Sequence, residues 1–531
     1  MLALRIADSS KSLHKRLTQA TQTGDSNFKT TTLTTHKHAI GYDSAASKRC
    51  IFLRDVKVFQ SIAMKNLWKW LLGVACLAGT GTRNPAAGQE APPARTPDAV
   101  ERLTRKNLQA IRETVEKYAA QRKPLEQPGT LRHVRANLHV HSELSHDSRG
   151  KIDEIVAAAK LARTDVLLFT EHPSKEKDFF TDGHRGFRDG VLLIPGAEMK
   201  GLLVYPTLSL RPFESADAQE TTQLVRNRRG HVFLSHLEER MDWQIQGLTG
   251  VEIYNTHADF KKQKRLIDSM KNPLWLIKTT ELIDKYPQEA FSALQSYPDD
   301  YLKRYDQLCL IAPHTGVAAN DAHQNIGVRV ELGQDDKVVV SDALGEELLK
   351  LDRLLVAPLL KIPQGAKPGD LLLKLQLDPY QNSLRHAGTH VLVNQLSQEG
   401  VWEGLEEGRT WVAFDWLADS KGFDVALIES PENQSSTRHE IGSKLEWKKL
   451  QSIESGQANR GPRFVGQSPL LADWKVYRST SESTGELVYQ TSGERLDWAI
   501  PTAGNYRIEL WLELLGQPHC WILSSPFYLK P

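Results

Sequence analysis

Cysteine is scarce. Cys50, Cys76, Cys309 and Cys520 are the only four in 531 residues, too few and too scattered for a disulfide framework or a cysteine-rich zinc module. Metal or catalytic work therefore falls to His, Asp and Glu. An excess of charge of either sign is also missing. The 67 Lys and Arg face 65 Asp and Glu, so there is no broad electrostatic case for a stable nucleic-acid partner, and any phosphate recognition must be local. No G-x-G-x-x-G or P-loop sequence follows any strand-like segment, which weakens nucleotide-fold readings. No internal repeat is visible. What is present is 40% hydrophobic residues over 59.7 kDa, enough for at least two globular domains with sizeable cores.

The N-terminal region stands apart. Met64 to Gly88, MKNLWKWLLGVACLAGTGTRNPAAG, places Lys65 and Lys69 around a short apolar run and ends in small residues, the pattern of a secretory signal. The run from Leu71 to Ala78 is shorter than the ~20 residues a spanning helix needs. Cleavage after Ala86-Ala87-Gly88 and export to the periplasm or the extracellular space are the expectation. Membrane attachment enters only if the signal stays uncleaved or Cys76 is lipidated, and Gly73 stands where lipidation expects a bulky aliphatic residue. Residues 1–63 are Ser/Thr-rich and basic with little periodicity, so translation is expected to start at Met64, the alternative being a long leader.

Residues 89–130 read as a linker, APPARTPDA, and then an amphipathic helix from Pro97 to Arg122 with Val100, Leu103, Leu108, Ile111 and Val115 on one face. From Leu131, short apolar strands (NLHVH, DVLLFTEH, GVLLIPGAE, GHVFLSHLE, GVEIYNTH, TGVAANDAH) alternate with helical stretches such as IDEIVAAAKLAR and TTQLVRNRR. That alternation predicts parallel strands joined by crossover helices over residues 131–418, an α/β barrel or a doubly wound sheet, with the barrel favoured. Past Ala418 the helical signal disappears. Residues 419–531 alternate strand-like pieces with Gly, Pro, Ser and Asn clusters, which predicts a small antiparallel sandwich.

Eleven of the 18 histidines fall between His133 and His323, and their placement carries more than their number. His139, His141, His172, Glu198, His236 and the pair Asp321/His323 each close a predicted strand. In parallel α/β folds the carboxyl ends of the strands form one face, so these residues converge on one site. In His139-Val140-His141, alternate side chains of an extended strand would project to one side and grip an ion. Asp321-Ala322-His323 repeats the spacing. A mixed N/O set of this size suits two or three divalent ions, with Glu198 able to bridge two of them. Clustered cations lower the pKa of bound water and clamp a phosphoryl oxygen, so no protein nucleophile is required.

At these residues the chain resembles the polymerase and histidinol phosphatase (PHP) superfamily of metal-dependent phosphoesterases. Its first motif, H-x-H-x-x-x-S-x-D, reads HVHSELSHD from His139 to Asp147. The others read TEH (Thr170 to His172), G-x-E (Gly196 to Glu198), LSH (Leu234 to His236) and D-x-H (Asp321 to His323). The resemblance implies a distorted (β/α)7 barrel holding two or three Mn, Fe or Zn ions at the carboxyl ends of its strands. It assigns His139, His141, Glu198 and Asp321 to one ion and Asp147, His172 and His323 to another. Glu198 and His236 would serve a bridged third, and Glu198, Asp321 and His323 would be catalytic. Two departures stand out: Glu171 replaces the usual Asp of T-D-H, and the segment LSLRPFE lacks a histidine many members carry. These put one metal in question, and His257 is a candidate to supply the missing ligand.

Bland readings exist for each residue. The whole set could be polar strand ends satisfied by hydrogen bonds. His146 and His231 read as surface or loop residues, and His184 sits in a Gly-rich loop that could cover the site. Arg149, Arg185, Arg188 and Arg240 are candidates for substrate phosphate, with solvated surface charge as the alternative. Glu171 is either an outer partner of His172 or a plain strand-end acid. Trp474, Trp498, Trp511 and Trp521 read as sandwich core rather than a carbohydrate surface. The combined expectation is an exported phosphatase or phosphodiesterase acting on a phosphorylated small molecule or oligonucleotide-like substrate. The rivals are a metal-dependent hydrolase of another ester or amide, and a noncatalytic scaffold.

Overall fold

Nine residues, Arg132–Val140, form strand β1, buried without interruption from Val134 onward, as befits a strand covered on both faces. The computed structural model describes residues 97–270, 273–357, 360, 362–429, 436–451 and 461–531. The proposed signal at 64–88, the 1–63 leader, and Cys50 and Cys76 lie outside them. Among the described residues no helix is long and apolar enough to cross a membrane. The expected helix from Pro97 to Arg122 is two, Ala99–Arg102 and Arg105–Gln121, because the Thr104 side chain accepts from Asn107 N and starts a new helix.

After β1 come β2 (Val166–Phe169), β3 (Gly186–Arg188), β4 (Val191–Ile194), β5 (Ala197–Met199), β6 (Leu202–Tyr205), β7 (His231–Leu234), β8 (Gly250–Asn255) and β9 (Thr315–Ala322). The pairs β1–β2, β2–β4, β7–β8, β8–β9 and β1–β9 are parallel. The sheet is nonetheless mixed, which corrects the all-parallel expectation. Between β5 and β6 the two-residue turn Lys200-Gly201 has φ 55° and 77°, so the chain doubles back as a hairpin, and β6 pairs antiparallel with both β5 and β7. A parallel bridge from Glu171 to Ala197 joins the end of β2 to β5.

A four-stranded antiparallel sheet that the alternation did not announce is inserted directly after His323. It comprises β10 (Gly327–Leu332), β11 (Lys337–Asp342), β12 (Glu347–Asp352) and β13 (Leu371–Gln376), in the order β12-β11-β10-β13. Val330, Leu332, Val338, Val340 and Val356 give it a core of its own. The chain then returns to the large sheet through the helix Tyr380–His386, β14 (Gly388–Val393) and β15 (Thr410–Ala413), with β14 antiparallel to β1.

The tail holds β16 (Asp424–Glu429), β17 (Thr437–Glu440), β18 (Lys444–Glu446), β19 (Arg463–Ser479), β20 (Glu486–Ala499), β21 (Gly504–Leu514), β22 (Gln517–Ser524) and β23 (Phe527–Lys530). Its pairings are antiparallel apart from β18–β23. β22 hydrogen-bonds β15, with Val412 opposite Leu523, so the tail continues the large sheet. Trp474 and Trp521 are fully buried, and their indole N–H groups donate to the carbonyls of Gly493 (3.0 Å) and Ala418 (2.8 Å). Trp511 and Trp498 pack at the edge of the same core.

One buried cation ties the tail to the helix Asp299–Ile311. The Arg507 guanidinium lies 2.9 Å from Asp306 and also contacts Glu509, all three groups being buried. Arg507→Leu leaves two carboxylates without a counterion, a loss on the order of 3–5 kcal/mol. Urea denaturation is expected to show the midpoint falling accordingly, and a midpoint within error of the parent's would refute the importance of this contact.

Candidate metal centre

β1 does not simply extend through its two histidines. Its register shifts between Leu138 and Val140 against both β2 and β9, and His139 stands in the left-handed region at φ 61°. His139 and His141 face the same space because the strand bulges there, which corrects the alternation argument. His236 and Asp321 are also left-handed, at φ 47° and 49°. Conformations of this kind cost of order 1–3 kcal/mol each and gather where a site requires them.

The side chains expected to converge do so, in two groups whose donor atoms lie within 4.8 Å of one another. One group is His139, Glu198, His236 and Asp321; the other is His141, Asp147, His172 and His323. This division places His141 with His323 and His236 with His139, unlike the partition implied by the resemblance. Glu198 stands between the groups: Oε2 is 3.2 Å from His139 Nε2 and 3.7 Å from both His141 and His172, while Oε1 is 3.2 Å from His236. Asp321 Oδ1 is 3.3 Å from His139 and Oδ2 is 3.6 Å from His236. Asp147 lies 3.2 Å from His172 and 3.4 Å from His323. His257 belongs to neither group and instead places Nδ1 3.0 Å from Asp321 Oδ2.

The histidines are oriented by their other ring nitrogens. His139 Nδ1 donates to Glu252 (2.7 Å), and His236 Nδ1 faces Glu238 (3.2 Å). His141 Nδ1 faces Ser145 Oγ (3.2 Å), and His323 Nδ1 donates to the Asp321 carbonyl (3.0 Å). Each Nε2 is thereby turned inward. The Nε2 atoms of His139, His141 and His323 and Asp147 Oδ1 are buried without a hydrogen-bond partner, although carboxylates stand at ion-pair distance. Buried polar atoms rarely go unmatched. A cluster of imidazole nitrogens and carboxylate oxygens left open toward one another has the donor chemistry of a divalent-metal site.

The electrostatics agree. Burial opposes charge on His139, yet Asp321, Glu198 and Glu252 hold its imidazole well above the ordinary histidine range. Burial likewise opposes charge on His323, but Asp147 and Asp321 raise it to about 9. Burial and the neighbouring His323, His172 and His139 push His141 well below that range. Burial alone would raise Glu198 and Asp321, but the imidazoles keep both well below the usual carboxylate range. The buried carboxylates favour positive charge among these imidazoles, a demand that a divalent cation would meet.

Three outer carboxylates hold this arrangement. Glu171, one residue before His172, is buried and accepts from Ser142 Oγ (2.6 Å) and Ser145 Oγ (2.7 Å). Ser145 in turn accepts from His172 N and faces His141, so Glu171 acts through Ser145. Glu252, inside β8, accepts from His139 Nδ1 and also from His236 N (2.8 Å). Glu238 accepts from Tyr301 as well as facing His236. Glu252 and Glu238 escaped the sequence reading; the one available signal was an acid within the apolar run GVEIY. If a divalent ion binds at the His139 group, Glu252→Gln should weaken it about 10–100-fold with the fold intact, which a fluorescent-chelator competition assay would measure. Unchanged affinity would remove Glu252 from the site.

Neighbouring basic residues are mostly engaged elsewhere. Arg240 donates to the carbonyls of Ser235 and His236 (both 3.1 Å), bracing the left-handed turn at His236. Arg149 is exposed and donates to the carbonyls of His146 and Ser148. Arg185 lies over the Phe180 ring, and Arg188 pairs with Asp153. His184 packs against Phe169, outside both groups. His146 is exposed, as expected. His231 is not a surface residue: it is buried, pairs with Glu406 at 3.3 Å and stacks on Trp402.

Comparisons with known proteins bear on this region. Residues 137–320 match the family model described as the PHP domain, a span that includes every residue of the two groups except Asp321 and His323. No curated protein matches the chain. Among solved structures, the chain is similar to the crystal structure of a two-domain protein containing predicted PHP-like metal-dependent phosphoesterase from Bacteroides vulgatus ATCC 8482. The identity is 12%, the coverage 76% of this chain and 98% of that one, and the TM-score 0.31. A likeness that distant carries no argument about the site.

Proposed function

We propose, for a chain that carries a PHP domain over residues 137–320, that it is a metal-dependent phosphoesterase in which water attacks a phosphate ester. The observation that carries the proposal is the pair of four-residue groups joined through Glu198, with the buried Nε2 atoms of His139, His141 and His323 lacking any hydrogen-bond partner. Strand pairings from β9 through β1 to β2, the Glu171 bridge, and the run β5 to β9 support reading the fold as a distorted (β/α)7 barrel with the site at its carboxyl ends.

In this reading His139, Glu198, His236 and Asp321 hold one ion, His141, Asp147, His172 and His323 hold another, and Glu198 spans both. The two or three ions, with His257 as a candidate further ligand, would be Mn, Fe or Zn. Such ions supply Lewis acidity and lower the pKa of water near them. The chain's own residues do the positioning. Glu252, Glu238 and Ser145 fix the imidazole rings, and Glu198, Asp321 and His323 line the place where the ester would react. The substrate is a phosphorylated small molecule or an oligonucleotide-like phosphodiester, with exposed Arg149 and Arg185 as the basic groups that would turn from their present contacts to meet it. Export to the periplasm or extracellular space follows from the signal-like segment at 64–88.

The test is metal analysis of the purified protein together with a panel of aryl phosphate monoesters and diesters. Bound Mn, Fe or Zn with turnover of either phosphate class supports the proposal. Bound metal with turnover only of carboxylic esters or amides points to a different hydrolase, and neither metal nor turnover leaves a scaffold.

A further inference from the structure

A buried hydroxyl from beyond the inserted sheet completes the second group. Tyr380 opens the helix Tyr380–His386, and its side chain is 2% exposed. Its Oη lies 2.7 Å from the His141 carbonyl, 2.8 Å from Ser148 Oγ and 3.2 Å from the His323 carbonyl. A phenol has one proton to donate, and the shortest contact gives it to His141. Ser148, 3.1 Å from the His323 carbonyl, then divides its own proton between that carbonyl and Tyr380. One junction therefore joins the backbone of His141, the loop carrying Asp147, and the end of β9 at His323. These are three of the four members of one group.

The surrounding chain is built to admit this ring. A Cβ at Gly150 would stand 2.1 Å from Tyr380 Oη, so glycine there follows from the close approach. Tyr380 N donates to Gln324 Oε1 (3.2 Å). Asp378, two residues before Tyr380, accepts from the backbone N–H groups of Asn325 and Ile326 (3.0 Å each), closing the stem of the inserted sheet. Asn325 Nδ2 in turn donates to the Asp147 carbonyl (3.0 Å).

From this geometry we infer that Tyr380 is a positioning residue that sets the His141–Asp147–His172–His323 group apart from the other, so that removing its hydroxyl weakens one divalent ion selectively. The inference rests on the metal-dependent reading proposed above. It touches no reacting atom: without the hydroxyl, a buried carbonyl at His141 loses its donor and the loop holding both His141 and Asp147 loses its anchor.

The experiment is calorimetric titration of the metal-stripped protein with Mn2+, comparing the parent chain, Tyr380→Phe and Ser148→Ala, with thermal unfolding followed in parallel. Tyr380→Phe is expected to bind one ion about 10–100-fold more weakly and the other with unchanged affinity. Ser148→Ala, which removes the partner hydroxyl and guards against a poorly folded Tyr380 variant, should weaken the same ion to a smaller degree. A merely structural tyrosine would lower the unfolding temperature and leave both affinities alone, and that result overturns the inference while the metal reading stands. Equal weakening of both ions also overturns it. A parent chain that takes up none of Mn2+, Fe2+ and Zn2+ overturns both.

Discussion

Asp321→Ala should release the ion assigned to His139, Glu198 and His236 and abolish phosphate-ester hydrolysis with it. The carboxylate is almost fully buried, and its oxygens lie 3.3 Å from His139, 3.7 Å from His141, 3.6 Å from His236, 3.3 Å from His323 and 3.0 Å from His257. Among the described residues no other side chain faces as many imidazoles. Its loss leaves His139 and His236 with Glu198 as their shared inward counterion and removes an oxygen donor no neighbour can replace. If the ions contribute the several kcal/mol usual for Lewis-acid catalysis, turnover of an aryl phosphate should fall roughly a thousandfold or more. Elemental analysis should show the loss of metal, and circular dichroism an unchanged fold. Substantial turnover by a variant that has lost this ion would mean that these residues hold the fold and leave the chemistry to others.

Truncation after Ala418 should yield an insoluble or unfolded chain. The cut removes β22, which supplies the edge partner of β15 through Trp411–Ser524, Val412–Leu523 and Ala413–Ile522. It removes Ser525, whose hydroxyl accepts from Gly316 N at the start of β9, the strand that carries Asp321. It also exposes buried Trp411 and Trp416 and strips Asp306 of Arg507. Solubility on expression and size-exclusion chromatography measure the outcome. A soluble, monodisperse product ending at Ala418 with intact turnover would establish the tail as a separate domain after all.

The ends of the strands were legible because an apolar run that stops at a histidine or an acid marks both a boundary and a candidate ligand. His139, His141, His172, Glu198, His236 and Asp321 were found in that way. Which of them share an ion was not legible, since that depends on the bulge at His139 and on where each Nδ1 is committed, and neither leaves a spacing in the sequence. Glu252 went unnoticed because an acid inside a short apolar strand reads as a pattern break until its partner is known. Tyr380 was invisible for a similar reason. It binds backbone carbonyls, which have no side-chain signature, and it reaches them from the far side of an insert. The insert itself, with period-two runs such as VRVEL and KVVV, is legible in principle as a set of short strands. The turn at Lys200-Gly201 decided the antiparallel hairpin through backbone conformation alone, and helix-strand alternation does not report that.

The central claim is that the eight converging side chains form one site for more than one divalent ion. Counting the ions tests it most directly: the metal-stripped protein, titrated with Mn2+ in a calorimeter at neutral pH, should take up at least two equivalents per chain. Uptake of one equivalent or less would contradict the account, since the two groups sharing Glu198 could not then both be metal sites.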